Sequence, residues 1–407
     1  MTGTRMRPFG DTIPLEQAQA IIAGAITPIT RTELVPLHEC GGRVLAEDLI
    51  APGDVPPFTR AGMDGYAVRA DDTAGATRTA PRLLRAIEQI FTGQMPTHAV
   101  DAGTCSEIAT GAPMPEGADA VVMVEETMRE ADGTVRVFVL VAPRQNVGRQ
   151  GADIAAGSTV LAAGTFLNAS RVGAVAAIGK PEVNVYARPR VAILSTGNEI
   201  AEPGQPLEPG QIHDINRYTL TALVAEHGGQ PEAHHAAADS LDVLRRALDA
   251  CLDADILVFS GGSSVGERDL LLDALASRGE VLFHGISVKP GKPMAFGRVE
   301  GKPFFGMPGY PASCLSNAHI LLVPALRTIA RLPPDRMRTV TLPLGRRVQS
   351  VVGRHQFLSV RVADGQAVPA FKASGDITSL ALADGYIEIP LDVEAIEAGT
   401  QVVVHLL

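Results

Sequence analysis

Residues 256–276 read ILVFSGGSSVGERDLLLDALA. Ile256 to Phe259 read as a short apolar strand, Ser260 to Asp269 as a glycine- and serine-rich turn, and residues 270–276 as a helix. Three more glycine-bearing turns lie nearby: STGNE at 195–199, KPGKP at 289–293 and MPGYP at 307–311. STGNE follows the apolar strand 191–194, MPGYP follows Phe304 and Phe305, and KPGKP follows a less regular segment, 281–288. Helical patterns over 216–227, 241–252 (with Ser240 as its cap) and 312–331 fill the intervals. Strand and helix thus alternate from Arg190 to Arg331, which predicts a doubly wound α/β sheet with right-handed crossovers. In such a sheet the turns gather at the carboxyl edge, where ligands bind. Glycine lets the backbone approach closely and aim its N–H groups at an anion. Four such turns predict a pocket for a phosphate-bearing ligand.

The flanking segments read differently. Residues 15–26 pattern as an amphipathic helix, with Thr12 as a cap and Pro14 near its first turn. Residues 43–48 read as a second short helix, and Pro52, Pro56 and Pro57 then mark a boundary near Ile50. From Met63 to Val141, short apolar segments alternate with Gly, Pro and Asp, which predicts a compact β domain. Residues 143–158 are loop-like, and the alanine-rich stretch 169–178 is a helix expected to return to the N-terminal one. Residues 186–190 read as a hinge, and after Pro333 and Pro334 the pattern returns to strands. The expected organisation is multidomain α/β plus β. A discontinuous first domain takes 1–50 and 143–186, a β-rich domain 51–142, the α/β domain 187–332, and a C-terminal β domain 333–407.

The chain has 407 residues, beyond one ordinary core, and a formal charge of −10. Net acidity and the absence of tryptophan argue against nucleic acid and anionic membranes as partners. An anion site must therefore be built locally. Cys40, Cys105, Cys251 and Cys314 are widely spaced with no CxxC, and read as buried reduced thiols of a cytosolic protein. No secretory signal and no membrane-length apolar run is read.

Within SGGSSVGERD, Gly261, Gly262, Ser263 and Ser264 can wrap an oxyanion. Glu267 and Asp269 stand at the start of the next helix. There they either complement the helix dipole or ligate Mg²⁺ beside a phosphate, because Mg²⁺ takes one or two carboxylates plus phosphate oxygens. Lys289 and Lys292 flank a turn fixed by two prolines and Gly291. They are either solvated surface lysines or a clamp for a phosphate or another tetrahedral oxyanion. Ser195 and Gly197 in STGNE, and Pro308, Gly309 and Pro311 in MPGYP, offer further turns toward an anion. Outside this domain, 56–68 brings Arg60 and Asp64 together, and Thr110 lies in a turn before an apolar strand. The adjacent His234 and His235 and the isolated His213 and His284 make no metal site. GxGxxG and Walker A sequences are absent, which removes support for nicotinamide chemistry and P-loop hydrolysis.

Together, PPFTRAGMDGYAV, TGAPMPEGADAVV, STGNE, GQIHDIN, SGGSSVGERD, KPGKP and MPGYPAS stand in the order found in molybdopterin molybdenumtransferases. The chain resembles these bacterial MoeA proteins and the C-terminal domain of gephyrin from about Pro14 to its end. The resemblance implies an L-shaped homodimer of four-domain subunits, with a central MogA-like molybdopterin-binding domain. It implies insertion of molybdate into adenylylated molybdopterin with Mg²⁺ dependence and release of AMP. It also implies a cleft between the sheet domain of one subunit and the second domain of its partner, and a handover from the molybdopterin adenylyltransferase. Thr110, Asp269, Lys289, Pro308, Pro311 and Ser374 match family positions linked to binding or activity. Lys289 with Lys292 is expected to attract molybdate, Asp269 with Glu267 to hold Mg²⁺, and Asp64 to join the catalytic set. Departures are Thr59, Ala152 and Asn198, where the family often has carboxylates, and Tyr310, where it often has asparagine. The first three keep open a non-catalytic paralogue that binds or delivers the cofactor.

Overall fold

A computed structural model describes residues 12–236, 241–261, 275, 278–335 and 337–407. The chain divides into two compact units: Met1–Glu33, Gly42–Val44 and Val185–Leu407, and Leu34–Gly41 with Leu45–Asn184.

The first unit is built on a six-stranded sheet. Its order is Gln230–Ala236, Arg190–Thr196, Ile256–Ser260, Lys302–Met307, Ala295–Val299 and Gly279–His284. The first four strands are parallel, and the last two are antiparallel additions. The apolar runs bury both faces. Val191, Ile193, Ile256, Val258 and Phe305 enter one core, while Ala192, Leu194, Leu257, Phe259 and Phe304 enter the other. A strand covered on both faces needs no polar alternation, which is why these runs read as continuous.

The expected doubly wound sheet is present and is mixed at one edge. Glu300 and Gly301, both at positive φ (47° and 80°), close a tight hairpin between Ala295–Val299 and Lys302–Met307. The edge strand Gln230–Ala236 was missed because QPEAHHA carries no apolar run.

The helix Leu15–Ala25 lays Leu15, Ala18, Ile22 and Ala25 into the first of these cores, so it packs with the sheet. The expected helix over 43–48 does not form. Val44 instead bonds through its carbonyl to Tyr186 N, and the Arg43 guanidinium bridges Glu33 and the Tyr186 carbonyl. The long helix after MPGYP runs as Pro311–Asn317, a wide π turn Ala318–Leu322, and Val323–Ile329. Pro324 has no N–H for the bond back to Ile320, and the wide turn immediately precedes it.

A second sheet of this unit runs Val288–Lys289, His355–Ala363, Gly385–Ile389, Gln401–Leu406 and Thr339–Pro343. Its core holds Leu358, Val360, Ile387, Ile389 and Val404.

The second unit carries another six-stranded sheet, ordered Ala120–Met123, Gly65–Val68, Thr104–Ile108, Arg82–Ile90, Thr134–Val137 and Thr127–Arg129. Val68, Leu84, Cys105, Val122 and Val135 fill one side, and Ala67, Ile90, Ile108 and Val121 the other. The helix Ala169–Ala177 belongs to this unit and starts on an Asn168 cap. All four cysteines are buried and unpaired, and burial pushes the Cys105 and Cys314 thiols up to about 12.

Candidate functional site

The carboxyl ends of three parallel strands open into a cavity of about 580 Å³. Ser195 and Thr196 close one strand, Ser260 and Gly261 the next, and Pro308, Gly309 and Pro311 follow the third. Gly261 has φ +95°, and a Cβ there would fall 2.3 Å from the Thr196 carbonyl oxygen, so only glycine fits.

Further lining comes from the second sheet. Val288 pairs with His355 and Lys289 with Gln356, which carries the KPGKP turn and Arg354 to the cavity. The Ser374 carbonyl accepts from Ala312 N at 3.1 Å and holds that loop against the start of the MPGYP helix.

Two buried asparagines fix the turns. Asn216 Nδ2 donates to Ser260 Oγ at 2.7 Å and to the Gly309 carbonyl at 2.8 Å. Asn317 Nδ2 donates to the Gly291 carbonyl at 2.8 Å. Gly291 has φ +106°, and a Cβ there would meet Asn317 Oδ1 at 2.2 Å.

Asp214 is buried beneath the cavity. It accepts from Ser195 Oγ at 3.2 Å and from Arg217 N at 3.1 Å. Arg217 Nε stands 3.1 Å from Asp214 Oδ2; this is ion-pair distance without hydrogen-bond alignment, since both atoms lack a hydrogen-bond partner. Among the described residues, with Asp214 offset by Arg217, the remaining charged lining is Glu199 against Lys289, Lys292 and Arg354. In a chain of net charge −10, the described lining of this cavity is thus locally cationic.

Of the sequence-predicted residues, Ser195, Gly261, Lys289, Lys292, Pro308, Gly309, Pro311 and Ser374 line this one cavity. Gly197 lies in the turn between two of its lining residues, Thr196 and Glu199. Asp64 and Thr110 lie in the second unit and bond to each other: Thr110 N and Oγ1 donate to Asp64 Oδ1 at 2.7 and 2.9 Å. Those two bonds, the backbone one first, hold the Asp64 carboxyl below its usual range. Gly262, Ser263, Ser264, Glu267 and Asp269 lie outside the described residues.

Sequence reasoning missed Asp214, Asn216, Asn317 and Arg354. GQIHDIN contains the first two and was the available signal; nothing local marks the other pair.

Asp214 is engaged by Ser195 and Arg217, and among the described residues no group of three His, Cys, Asp or Glu is placed to hold a metal. Among them also, no helix is long and apolar enough to cross a membrane.

Three family models match in order. They are described as "MoeA N-terminal region (domain I and II)" over residues 13–179, "Probable molybdopterin binding domain" over 192–328, and "MoeA C-terminal region (domain IV)" over 341–407. The chain is 38% identical over 405 residues to molybdopterin molybdenumtransferase 2 of Mycobacterium tuberculosis, covering 95% of this chain and 98% of that one. It is 35% identical to the molybdopterin molybdenumtransferase of Haemophilus influenzae over 85% of each chain. The solved structure of a molybdopterin biosynthesis MoeA protein from Pyrococcus horikosii superposes with a TM-score of 0.83 at 38% identity, over 97% of this chain and 99% of that one. With matches of this length along the whole chain, and with the family's turns converging on one cavity, the protein belongs to the MoeA family of molybdopterin molybdenumtransferases.

Proposed function

We propose that this protein acts in molybdenum cofactor biosynthesis, inserting molybdate into adenylylated molybdopterin and releasing AMP. The observation that carries the reading is the cationic cavity: strand-end turns line one space together with Lys289, Lys292 and Arg354. The two thiols of the pterin displace one molybdate oxygen as water and bind molybdenum. One water is consumed as the phosphoanhydride opens and AMP leaves.

Both substrates are anionic, and charge builds further on the phosphoryl oxygens as the anhydride breaks. The lysines and Arg354 hold molybdate beside the thiols and neutralise that charge in a partly enclosed space. The Ser195, Ser260 and MPGYP turns supply short donors and a fixed outline for the phosphates. No step is assigned to Mg²⁺, because the two carboxylates expected to bind it are outside the described residues. A homodimer is the proposed working form, with light scattering at micromolar concentration as its check. Handover from the adenylyltransferase is part of the same reading, checked by co-purification of the two proteins.

The alternative of binding without turnover rests on Thr59, Ala152 and Asn198. Thr59 Oγ1 accepts from Gln150 N at 3.4 Å, while the Gln150 side chain and Ala156 N both donate to Asp54, each at 2.8 Å. The 150–156 loop around Thr59 and Ala152 thus retains a fixed carboxylate. Single-turnover AMP release from adenylylated molybdopterin with molybdate separates the two readings. The proposal expects about one AMP per bound pterin. Retained ligand with no AMP would establish the binding protein instead.

A further inference from the structure

The geometry points to Tyr310 as the residue that stacks on the planar heteroaromatic ring of the phosphate-bearing ligand, a role that rests on the function proposed above. The chain has no tryptophan and five tyrosines. Four of the five have structural roles. Tyr66 and Tyr386 are core residues. Tyr186 lies under the Arg331 guanidinium, 4.2 Å from ring centre to Cζ. Tyr218 donates its hydroxyl to Glu202 and faces Arg217. Tyr310 alone lines the cavity, with 67% of its surface exposed.

An exposed tyrosine is ordinary by itself. Its backbone makes this one different. Tyr310 sits between Gly309, whose carbonyl is held by Asn216, and Pro311, the first residue of the helix. A residue before proline is held extended, and Tyr310 has φ −70° and ψ 127°. Its own carbonyl accepts from Cys314 N at 2.8 Å. The ring is therefore carried on a rigid stalk, so stacking on it orders little that is not already ordered. On one side lies Gly375, which has no side chain of its own and where a built Cβ would stand 3.8 Å from Tyr310 Cδ1, an ordinary van der Waals distance.

The rest of the lining matches a ligand with a flat apolar part and an anionic part. Ile200, Ile212 and Val351 supply apolar wall, and Lys289, Lys292 and Arg354 supply charge. Adenine and pterin share that chemistry, each being a planar ring system tethered to phosphate. Stacking of a base on an aromatic side chain corresponds to roughly a five- to hundredfold change in affinity on truncation to alanine.

The experiment measures binding of AMP, 6-hydroxymethylpterin monophosphate and ribose 5-phosphate to wild type, Tyr310→Phe and Tyr310→Ala. Circular dichroism first confirms that both variants fold. The expected result is at least a fivefold loss for Tyr310→Ala on AMP, on the pterin phosphate, or on both, with ribose 5-phosphate unchanged and Tyr310→Phe near wild type. The arm that loses affinity identifies the ring. Equal loss for ribose 5-phosphate, or no loss on either ring-bearing probe, overturns the assignment of Tyr310 while leaving the proposed function standing. Failure of wild type to bind either ring-bearing probe would instead overturn the functional reading, and this role with it.

Discussion

The side-chain amide of Asn216 donates to the Gly309 carbonyl at 2.8 Å, joining the start of one helix to a turn 93 residues later. The same amide holds Ser260 Oγ, so one buried residue registers two of the strand-end turns against each other.

Asn216→Ala is expected to lose about 1–3 kcal/mol of stability, because it strands a buried carbonyl and a hydroxyl. Affinity for AMP should also fall, since the turns lose their common tie. Denaturant melts and calorimetric titration of the same variant check both. Wild-type values in each would remove Asn216 from the site's framework.

Gly291→Ala is expected to destabilise the fold by more than about 1 kcal/mol. It places a Cβ at positive φ and 2.2 Å from Asn317 Oδ1. Pairing it with Asn317→Ala opens that space. The double variant should therefore recover part of the loss, a coupling that thermal melts of all three proteins measure.

Arg354→Gln is expected to weaken AMP and molybdate binding by roughly ten- to a hundredfold. A hydrogen bond to a charged group contributes about 1.5–3 kcal/mol, and Arg354 lines the same cavity as Lys289 and Lys292. The salt dependence of binding should flatten in parallel. Unaltered affinity with an unaltered salt slope would place the guanidinium outside the anion's reach.

Thr110→Val removes the hydroxyl donor to Asp64 and leaves the backbone donor, so the Asp64 pKa should rise only part of the way toward its ordinary value. The sign follows from the lowered folded value. The Thr110 bonds favour the ionised carboxylate, so their contribution is present above the ordinary aspartate pKa and is lost as pH falls through the folded one. Carbon-detected NMR titration of Asp64 in both proteins reads the shift directly. A downward shift in the variant would contradict the bonding described.

The sheet itself was legible in the sequence. The runs VAIL, ILVF and FF carry enough apolar area to demand cover on both faces, and that requirement is local to each strand. The turns after them were equally legible, because glycine at positive φ, as at Gly261, is a property of the residue itself. Arg354 and Asn317 were not legible. Arg354 reaches the cavity because Val288–Lys289 pairs with a strand beginning at His355, and Asn317 reaches Gly291 from a separate helix. Nothing in the periodicity of either segment specifies its partner. Likewise, the sequence separated Asp64 from Thr110 by 46 positions, and only pairing of Gly65–Val68 with Thr104–Ile108 brought them to 2.7 Å. Residue chemistry and backbone preference act over a few neighbours and are read from sequence. Which distant segments meet is decided by the packing of whole strands and helices, where burial of large apolar faces outweighs any local signal.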